Sequence, residues 1–294
     1  MELINIKTGK YIVAVSGGVD SVVLLDLLSR QKNLELVVAH FDHGIRKESK
    51  KDAQFVEELA AKYNLPFISK EEKLGEAASE EAARSARYTF LEAARTKQKA
   101  VAIITAHHAD DVLETMIINI LRGTGWRGIS ALRSEKTIIR PLLHLQKDEL
   151  YNYAKQRSLL WCEDETNTDE KYLRNYVRLN ITSKLSLSEK QRFLKLHDGQ
   201  VDLQKEMNEE AKKLLEVSEV KRSEYSRYFF ISIDEATAIE LLKYLTRATY
   251  PQLKAGLLAI KTAKANTIYQ IGGGVELAFT KKTFIVVHPD NVVS

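Results

Sequence analysis

Residues 11–21 read YIVAVSGGVDS, and the apolar run VVLLDLL follows them directly. This pattern predicts a buried strand that passes through a glycine turn into a helix. The two glycines allow a tight turn and a close approach of the backbone to a ligand, because neither carries a Cβ atom. The helix start near Val19 presents N–H groups and the positive end of the helix dipole, which favour an anion of phosphate size. The junction therefore predicts a phosphate-binding loop at residues 16–21.

Asp20 is the informative residue of this loop. A carboxylate beside a bound phosphate is repulsive unless a divalent cation lies between them, so Asp20 predicts a Mg²⁺ site. Two better-known phosphate loops do not match this stretch. It has no lysine before its serine, as the GxxxxGKS/T loop requires, and it lacks the third glycine of GxGxxG.

The composition is that of an ordinary globular protein. The chain has 294 residues, of which 44% are hydrophobic and 29% are charged, and its net charge is +4. This length leaves room for one large and one small domain. We expect a cytoplasmic protein without a membrane span, because there is no apolar N-terminal segment of signal-peptide length and no apolar run of about 18 residues. Cys162 is the only cysteine, which excludes an internal disulfide and a CxxC metal site within these residues.

The chain changes character along its length. From residue 11 to 143, strand-like and helix-like runs alternate, which predicts an α/β fold with a doubly wound, mostly parallel sheet of Rossmann-like type. Residues 144–217 have a helical pattern, and the polar residues 218–228 (SEVKRSEYSRY) predict a linker before a small α+β unit. The expected division is an N-terminal domain over 1–185, a helical linker over 186–217 and a C-terminal α+β domain over 218–294.

A second motif, TAHHADDVLET at residues 105–115, connects a predicted strand to a predicted helix. Asp110 and Asp111 fall in the first helical turn, and Glu114 shares their face by its i+4 and i+3 spacing. Acidic residues at this place are often only partners of the helix dipole. Next to the phosphate loop, however, Asp110 or Asp111 can complete the Mg²⁺ shell that Asp20 begins. Zinc is disfavoured, because no third nitrogen or sulfur ligand lies near His107 in the sequence.

Other charged stretches also lie at the ends of predicted elements. Arg84 and Arg87 share one helix face and can clamp a phosphate, although arginines on helices are usually solvated. In HFDHGIR (residues 40–46), the glycine permits a turn and Arg46 begins a basic run. Residues 164–178 combine DETNTD with RNYVR at a predicted domain edge, where a capped helix is the ordinary interpretation.

Together these blocks resemble a known family. The blocks SGGVDS, HFDHGIR, EEAARSARY, TAHHADDVLET with LRGTGWRG, and IIRPLL with D-x-T-N and RN-x-x-R resemble the tRNA(Ile)-lysidine synthetases, within the N-type PP-loop ATP pyrophosphatases. The resemblance implies that ATP adenylates the C2 oxygen of cytidine 34 in the CAU anticodon of tRNA(Ile). The ε-amine of free L-lysine then displaces AMP and leaves lysidine, which changes codon reading from AUG to AUA. Other members carry a further C-terminal domain, so we expect a short form.

The resemblance also implies roles for individual residues, with ATP and Mg²⁺ as cofactors. The expected nucleotide-binding residues are Ser16, Gly17, Gly18, Val19, Asp20, Ser21, His40 and Asp42. The expected catalytic residues are Asp20, Arg84, His107, Asp110, Asp111 and Glu114, with Asp20, Asp110 and Asp111 at the metal. Glu114 or His107 would hold the lysine or take its proton. The expected contacts to RNA or substrate are Arg46, Arg87, Arg174, Asn175 and Arg178. A homodimer is compatible with the sequence, which contains nothing that decides the oligomeric state.

Three alternatives remain at this point. A tRNA thiolase could use the same loop, but such enzymes generally need paired cysteines and Cys162 is alone. An amide-forming PP-loop synthetase would consume ammonia instead of lysine and tRNA. A non-catalytic RNA-binding module would release no pyrophosphate in response to tRNA and lysine.

Overall fold

The computed structural model describes residues 6–42, 44, 49–72, 80–163 and 173–288. The chain divides into two compact units, Met1–Val201 and Asp202–Ser294. The long helix that contains this boundary includes most of the segment predicted as a linker. Among the described residues, no helix combines the length and the apolar character that a membrane span requires.

A five-stranded parallel sheet forms the centre of the first unit. Its strands are β1 (Gly9–Ala14), β2 (Leu34–Asp42), β3 (Phe67–Glu71), β4 (Ala102–Ile104) and β5 (Ile138–Ile139), in the order β3-β2-β1-β4-β5. The helices of this unit are α1 (Val19–Ser29), α2 (Ser49–Lys62), α3 (Glu80–Lys97), α4 (Ala109–Leu121), α5 (Trp126–Ile129), α6 (Lys147–Gln156) and α7 (Leu173–Asn180), followed by a short 3-10 helix (Thr182–Lys184). The predicted alternation of strands and helices is thus confirmed.

Helices cover both faces of this sheet. Alternate side chains of β1 point to opposite sides, as strand geometry requires. Tyr11 and Val13 pack in one apolar cluster with residues of α1, α2 and α6, whereas Ile12 packs in another with Leu91 of α3. The sheet is therefore doubly wound, as predicted. Because the strand order reverses between β1 and β4, a crevice lies between their carboxyl ends, where ligands of such sheets bind. The phosphate loop follows β1 and the HHADD motif follows β4.

The second unit is a small α+β structure, also as predicted. Helix α8 (Leu187–Ser218) begins in the first unit and ends in the second. The remaining elements are β6 (Glu219–Lys221), β7 (Glu224–Ser226), α9 (Arg227–Ser232), α10 (Glu235–Thr246), α11 (Tyr250–Thr262), β8 (Ile268–Gly272), β9 (Val275–Phe279) and β10 (Thr283–Val287). The strands form an antiparallel sheet in the order β6-β7-β10-β9-β8. Its inner face packs with the helices around Phe230, Leu242, Leu257 and Phe284.

The interpretation of residues 218–228 as a linker was wrong. Residues 219–221 and 224–226 pair as β6 and β7, at one edge of the second sheet. No β6 side chain is buried, and those of β7 are only half-buried. An edge strand without a buried face lacks the alternation of apolar and polar residues by which strands are recognised. The polar composition therefore concealed a hairpin.

Asp26 of α1 links this helix to α6 and to the residue that follows α2. It is 3% exposed, and its two carboxylate oxygens accept hydrogen bonds from Arg30, from Tyr63 after α2 and from Tyr153 of α6, at 2.7–3.1 Å. Burial by itself would raise the pKa of Asp26. The hydrogen bonds outweigh this effect and hold the pKa below its usual value.

Replacing Asp26 with asparagine should therefore make unfolding less sensitive to acid. A carboxylate whose folded pKa is depressed stabilises the protein above its unfolded pKa of about 3.9, and this contribution is lost as the pH falls through the folded value. We expect Asp26→Asn to lower the free energy of unfolding by about 2 kcal/mol at pH 7. Below about pH 4, it should weaken the dependence of that energy on pH. Urea unfolding followed by circular dichroism at several pH values measures both effects. Asp202→Asn, in an exposed ion pair, is the control, and equal pH slopes for wild type and Asp26→Asn would contradict the assignment.

Candidate active site

The loop at residues 16–21 is shaped by Gly17 and Ser21. Gly17 has a φ of +97°, in the left-handed region that favours glycine. The Ser21 hydroxyl accepts hydrogen bonds from the N–H groups of Ser16 and Gly17 at 3.2 Å and donates one to the Gly18 carbonyl at 2.8 Å. Helix α1 begins at the next residue, Val19, which is buried. Ser21 thus fixes the turn from inside, while Ser16 is exposed.

Three predicted carboxylates surround one imidazole at the ends of β1 and β4. His108 is buried, and its Nε2 atom lies 3.7 Å from Asp20 Oδ2 and 3.5 Å from Asp111 Oδ2. Its Nδ1 atom lies 3.8 Å from Asp110 Oδ2. Asp111 also accepts a hydrogen bond from the backbone N–H of His108 at 3.0 Å. The structure therefore brings Asp20, Asp110 and Asp111 together, and it adds His108, which is not among the predicted catalytic or metal-binding residues.

Two lysines that sequence reasoning missed neutralise part of this charge. Lys147 Nζ lies 2.7 and 2.6 Å from the two oxygens of Asp20, and the Lys147 backbone N–H donates to Asp110 at 2.9 Å. Lys190 Nζ lies 2.6 Å from the other oxygen of Asp110. Burial would raise the pKa of Asp110, but these hydrogen bonds keep it below its usual value. The sequence contained a weak indication of the role of Lys147. This lysine is the first residue of a helix, where the helix dipole disfavours a cation unless an anion lies nearby.

The donor set agrees with the chemistry of Mg²⁺. This ion commonly takes one or two protein carboxylates and completes its shell with substrate phosphates and water. Asp20 and Asp111 both face the same nitrogen of His108, and Asp20 lies in the phosphate loop. Within the ranges that the structure describes, no group of three His, Cys, Asp or Glu side chains is arranged to hold a metal by itself. Phosphate oxygens of the nucleotide would therefore have to supply part of the shell.

His107 lies in a positively charged environment beside these carboxylates. Burial lowers the pKa of His107 to about 3. The charges of Arg140, Arg87 and Arg84 act in the same direction, and that of Asp111 opposes them. The Thr105 hydroxyl lies 2.8 Å from His107 Nδ1. His107 is therefore neutral at physiological pH.

Arginines surround Asp111 as well. Burial would raise the pKa of Asp111, but the nearby histidines, the backbone N–H of His108 and the charge of Arg174 lower it to about 2. The guanidinium carbons of Arg84 and Arg87 lie 5.0 and 5.6 Å from the centre of the Tyr88 ring. The two predicted arginines of α3 therefore lie at the site, and the charge of Arg140 after β5 reaches it too.

Glu114, which is predicted to hold the lysine or take its proton, is buried in α4. It is 1% exposed. Its Oε1 accepts a hydrogen bond from Arg178 Nε at 2.6 Å, and its Oε2 accepts bonds from Arg174 Nε and Arg178 Nη2 at 3.1 Å each. Both oxygens are therefore engaged by guanidinium groups, which connect α4 to α7. Asn175 is also buried in α7.

His40 and Asp42 line a separate cavity beyond the end of β2. His40 Nδ1 lies 2.9 Å from the Val15 carbonyl, and Asp42 accepts a hydrogen bond from the Gly44 N–H at 2.8 Å. The cavity has a volume of about 560 Å³, and its other lining residues are Ala53, Gln54, Glu57, Phe67, Ser69, Lys70 and Glu71. The predicted contact residue Arg46 and the DETNTD stretch (residues 164–169) lie outside the described residues.

Comparison with known proteins gives a family and named relatives. The PP-loop domain family matches residues 2–185, more than half of the chain. The tRNA(Ile)-lysidine synthase of Exiguobacterium sibiricum is 42% identical over 179 residues, a match that covers 60% of this chain and 43% of that protein. The tRNA(Ile)-lysidine synthase of Pseudothermotoga lettingae is 34% identical over 275 residues, which cover 87% of this chain and 60% of that protein. The chain thus spans less than two thirds of the length of these relatives.

A solved structure gives the same fold. The U34-tRNA thiolase NcsA of Methanococcus maripaludis, with its 4Fe-4S cluster, aligns at a TM-score of 0.56 and 20% identity, covering 67% of this chain and 72% of that chain. The two chains therefore share a fold. With a glycine loop between β1 and α1, carboxylates after β4, and a family match over the whole first sheet, the chain belongs to the PP-loop domain family.

Proposed function

We propose that the chain is an ATP-dependent carbon–nitrogen ligase that joins free L-lysine to C2 of cytidine 34 in tRNA(Ile) with a CAU anticodon. The products would be lysidine in the tRNA, AMP and pyrophosphate. The observation that carries the proposal is the identity of 34–42% to tRNA(Ile)-lysidine synthases, in a chain whose phosphate loop lies beside a cluster of aspartates. The proposed compartment is the cytoplasm, where tRNA and free lysine occur together.

In the first step, the C2 oxygen of cytidine would attack the α-phosphorus of ATP, and pyrophosphate would leave. The loop at residues 16–21 would hold the phosphates with backbone N–H groups and the start of α1. Asp20 and Asp111 would hold Mg²⁺, which would offset the charge on the leaving group. Of the two aspartates after β4, Asp111 is the better candidate, because Asp111 Oδ2 and Asp20 Oδ2 lie near the same nitrogen of His108. Arg84 and Arg87 would stabilise the charge that develops on the phosphate.

In the second step, the ε-amine of lysine would attack C2, and AMP would leave with the C2 oxygen. A free lysine ε-ammonium group has a pKa of about 10.4, and it must lose a proton, which water would accept, before its nitrogen attacks. His107 is neutral and can accept a hydrogen bond from the amine. Its pKa of about 3 favours a role in orienting the amine over one in storing the proton. The guanidinium groups around Glu114 favour a role for that residue in holding Arg174 and Arg178.

The proposed contacts with nucleic acid and nucleotide lie in several parts of the chain. Arg46, Arg174, Asn175 and Arg178 would contact RNA or nucleotide, and the cavity beside His40 and Asp42 would accept the nucleoside part of ATP. The C-terminal α+β unit would contact the tRNA. A homodimer stays a prediction, which light scattering coupled to size-exclusion chromatography would check.

Incorporation of labelled lysine tests the proposal directly. The assay combines the protein with ATP, Mg²⁺ and a transcript of tRNA(Ile) that carries the CAU anticodon. Transcripts of tRNA(Met) serve as the control, because they share the anticodon. We expect label to enter only the tRNA(Ile) transcript, with one pyrophosphate released per lysine. If no label enters while the protein is folded and binds ATP, the proposal is wrong.

The thiolase alternative uses the same phosphate loop, and the aligned structure is a tRNA thiolase. That likeness covers the fold only, and these 294 residues contain a single cysteine. We expect Cys162→Ser to retain lysine incorporation within about twofold, because serine preserves the size of the side chain beside Gly17. Loss of activity in a folded Cys162→Ser variant, with sulfur entering the tRNA of wild type, would favour thiolation. Pyrophosphate release that depends on ammonia would favour an amide-forming synthetase instead.

A further inference from the structure

We propose that Lys147 is a phosphate-binding residue that Asp20 holds in place until nucleotide arrives. In the structure, the Lys147 ammonium forms an ion pair with Asp20. On binding of Mg²⁺ and ATP, Lys147 would leave Asp20, whose carboxylate would help to hold the ion, and its ammonium group would turn to the phosphates. This inference rests on the proposed function only in requiring that the loop at residues 16–21 bind ATP.

The contact between Lys147 and Asp20 is close and two-sided. Nζ lies 2.7 Å from one carboxylate oxygen and 2.6 Å from the other, although the residues are 127 positions apart in the chain. Both side chains retain some exposure, 33% for Lys147 and 25% for Asp20, so the pair faces the open side of the loop. The ammonium therefore occupies the place where Asp20 is expected to hold a cation.

The position of Lys147 in its helix indicates that this contact holds the side chain. Lys147 is the first residue of α6, where the positive end of the helix dipole disfavours an ammonium group. The backbone is fixed independently, because the Lys147 N–H donates to Asp110 at 2.9 Å. The Tyr151 ring, whose centre lies 5.1 Å from Nζ, supports the side chain. The side chain can therefore change partners while the backbone stays in place.

The charges around the loop indicate which partner the Lys147 ammonium prefers once ATP is bound. With ATP in the loop, Asp20 would face phosphate oxygens, and a carboxylate beside a polyphosphate requires more positive charge than one ammonium supplies. Both oxygens of Asp20 are engaged by Lys147, so a metal that binds Asp20 must compete with the charge of the ammonium group. Released beside the phosphates, Lys147 gains a stronger anion as its partner. Lys147 thus weakens the binding of a metal to Asp20 and strengthens the binding of ATP to the loop.

Replacing Lys147 should therefore change the affinity for a metal and the affinity for ATP in opposite directions. We expect Lys147→Met to bind Mn²⁺ without nucleotide about fivefold more tightly than wild type, measured by electron paramagnetic resonance. The same variant should bind ATP in the presence of Mg²⁺ about tenfold more weakly, measured by calorimetry. Lys147→Gln should behave similarly, and Lys147→Arg should restore ATP affinity to within about threefold because it keeps the charge. Lys155→Met, on the exposed side of the same helix, is the matched control.

Each outcome is decisive for Lys147. Unchanged ATP affinity in folded Lys147→Met and Lys147→Gln would overturn the inference. Weaker binding of both Mn²⁺ and ATP, together with a lower melting temperature, would overturn it too, because it would make Lys147 a structural residue. If wild type shows the expected binding pattern but incorporates no lysine into tRNA, the inference stands and the proposed function fails.

Discussion

Replacing Asp20 with asparagine should lower the rate of lysine incorporation by about 100-fold or more, while the affinity for tRNA changes little. The asparagine side chain would keep the size of the aspartate, but it would lose the charge and replace one accepting oxygen with a donating NH2 group. A neutral amide is a poor ligand for Mg²⁺, so the charge on the departing pyrophosphate would be less well compensated in the transition state. Binding of tRNA depends on contacts to phosphates and bases elsewhere, so it should be retained.

Rapid-quench measurement of pyrophosphate release and filter binding of tRNA separate these two effects. Asp148→Asn is the matched control, because Asp148 is an exposed carboxylate on α6, next to Lys147. It should alter the rate of pyrophosphate release by no more than about twofold. A parallel loss of tRNA affinity and rate in Asp20→Asn would show that Asp20 supports the structure of the loop and not the chemistry.

Replacing Glu114 with glutamine should destabilise the first unit strongly. The buried carboxylate is the partner of both Arg174 and Arg178, at 2.6–3.1 Å. Removing one partner of a buried ion pair commonly costs about 3–5 kcal/mol. We expect a loss of about 3 kcal/mol here, because Arg174 and Arg178 keep 23 and 35% exposure and water would compensate part of their charge. In a unit of this size, that loss corresponds to a decrease in melting temperature on the order of 10 °C.

Differential scanning calorimetry measures this change, with Glu92→Gln as the control. Glu92 pairs with Arg95 on the exposed side of α3, and a surface pair of this kind contributes about 0.5 kcal/mol or less. The experiment also separates two roles for Glu114. An unchanged melting temperature combined with a large rise in the KM for lysine would assign Glu114 to the lysine site, as the sequence predicted.

Much of the fold followed from local patterns. The apolar run YIVAV of β1, which ends at a glycine turn, and the longer apolar run of α1 each predict their own element, because the length of such a run and the turn residues beside it are visible within a few residues. Their repeated succession predicts a parallel sheet, and its carboxyl edge predicts where the motifs meet. At residues 218–228 the local pattern predicted a linker where a hairpin lies. Strands at the edge of a sheet without a buried face lack the alternation of apolar and polar residues that identifies a strand.

The side-chain partners at the site could not be predicted in the same way. Spacing within α4 placed Glu114 with Asp110 and Asp111, but it could not indicate that two arginines of α7 engage Glu114. Lys190 lies 80 positions from Asp110 and shares no motif with it. Such pairs depend on how separate helices pack, and no local period records that packing.

The sequence by itself determined the loop at residues 16–21, the order of strands and helices, and the edge of the sheet at which the motifs lie. These features depend on neighbouring residues, through backbone conformation and the burial of apolar faces. Only the tertiary structure decided which cation each aspartate holds. Lys147 reaches Asp20 because α6 packs against α1, and Coulomb interactions act between groups that are close in space, whatever their distance along the chain.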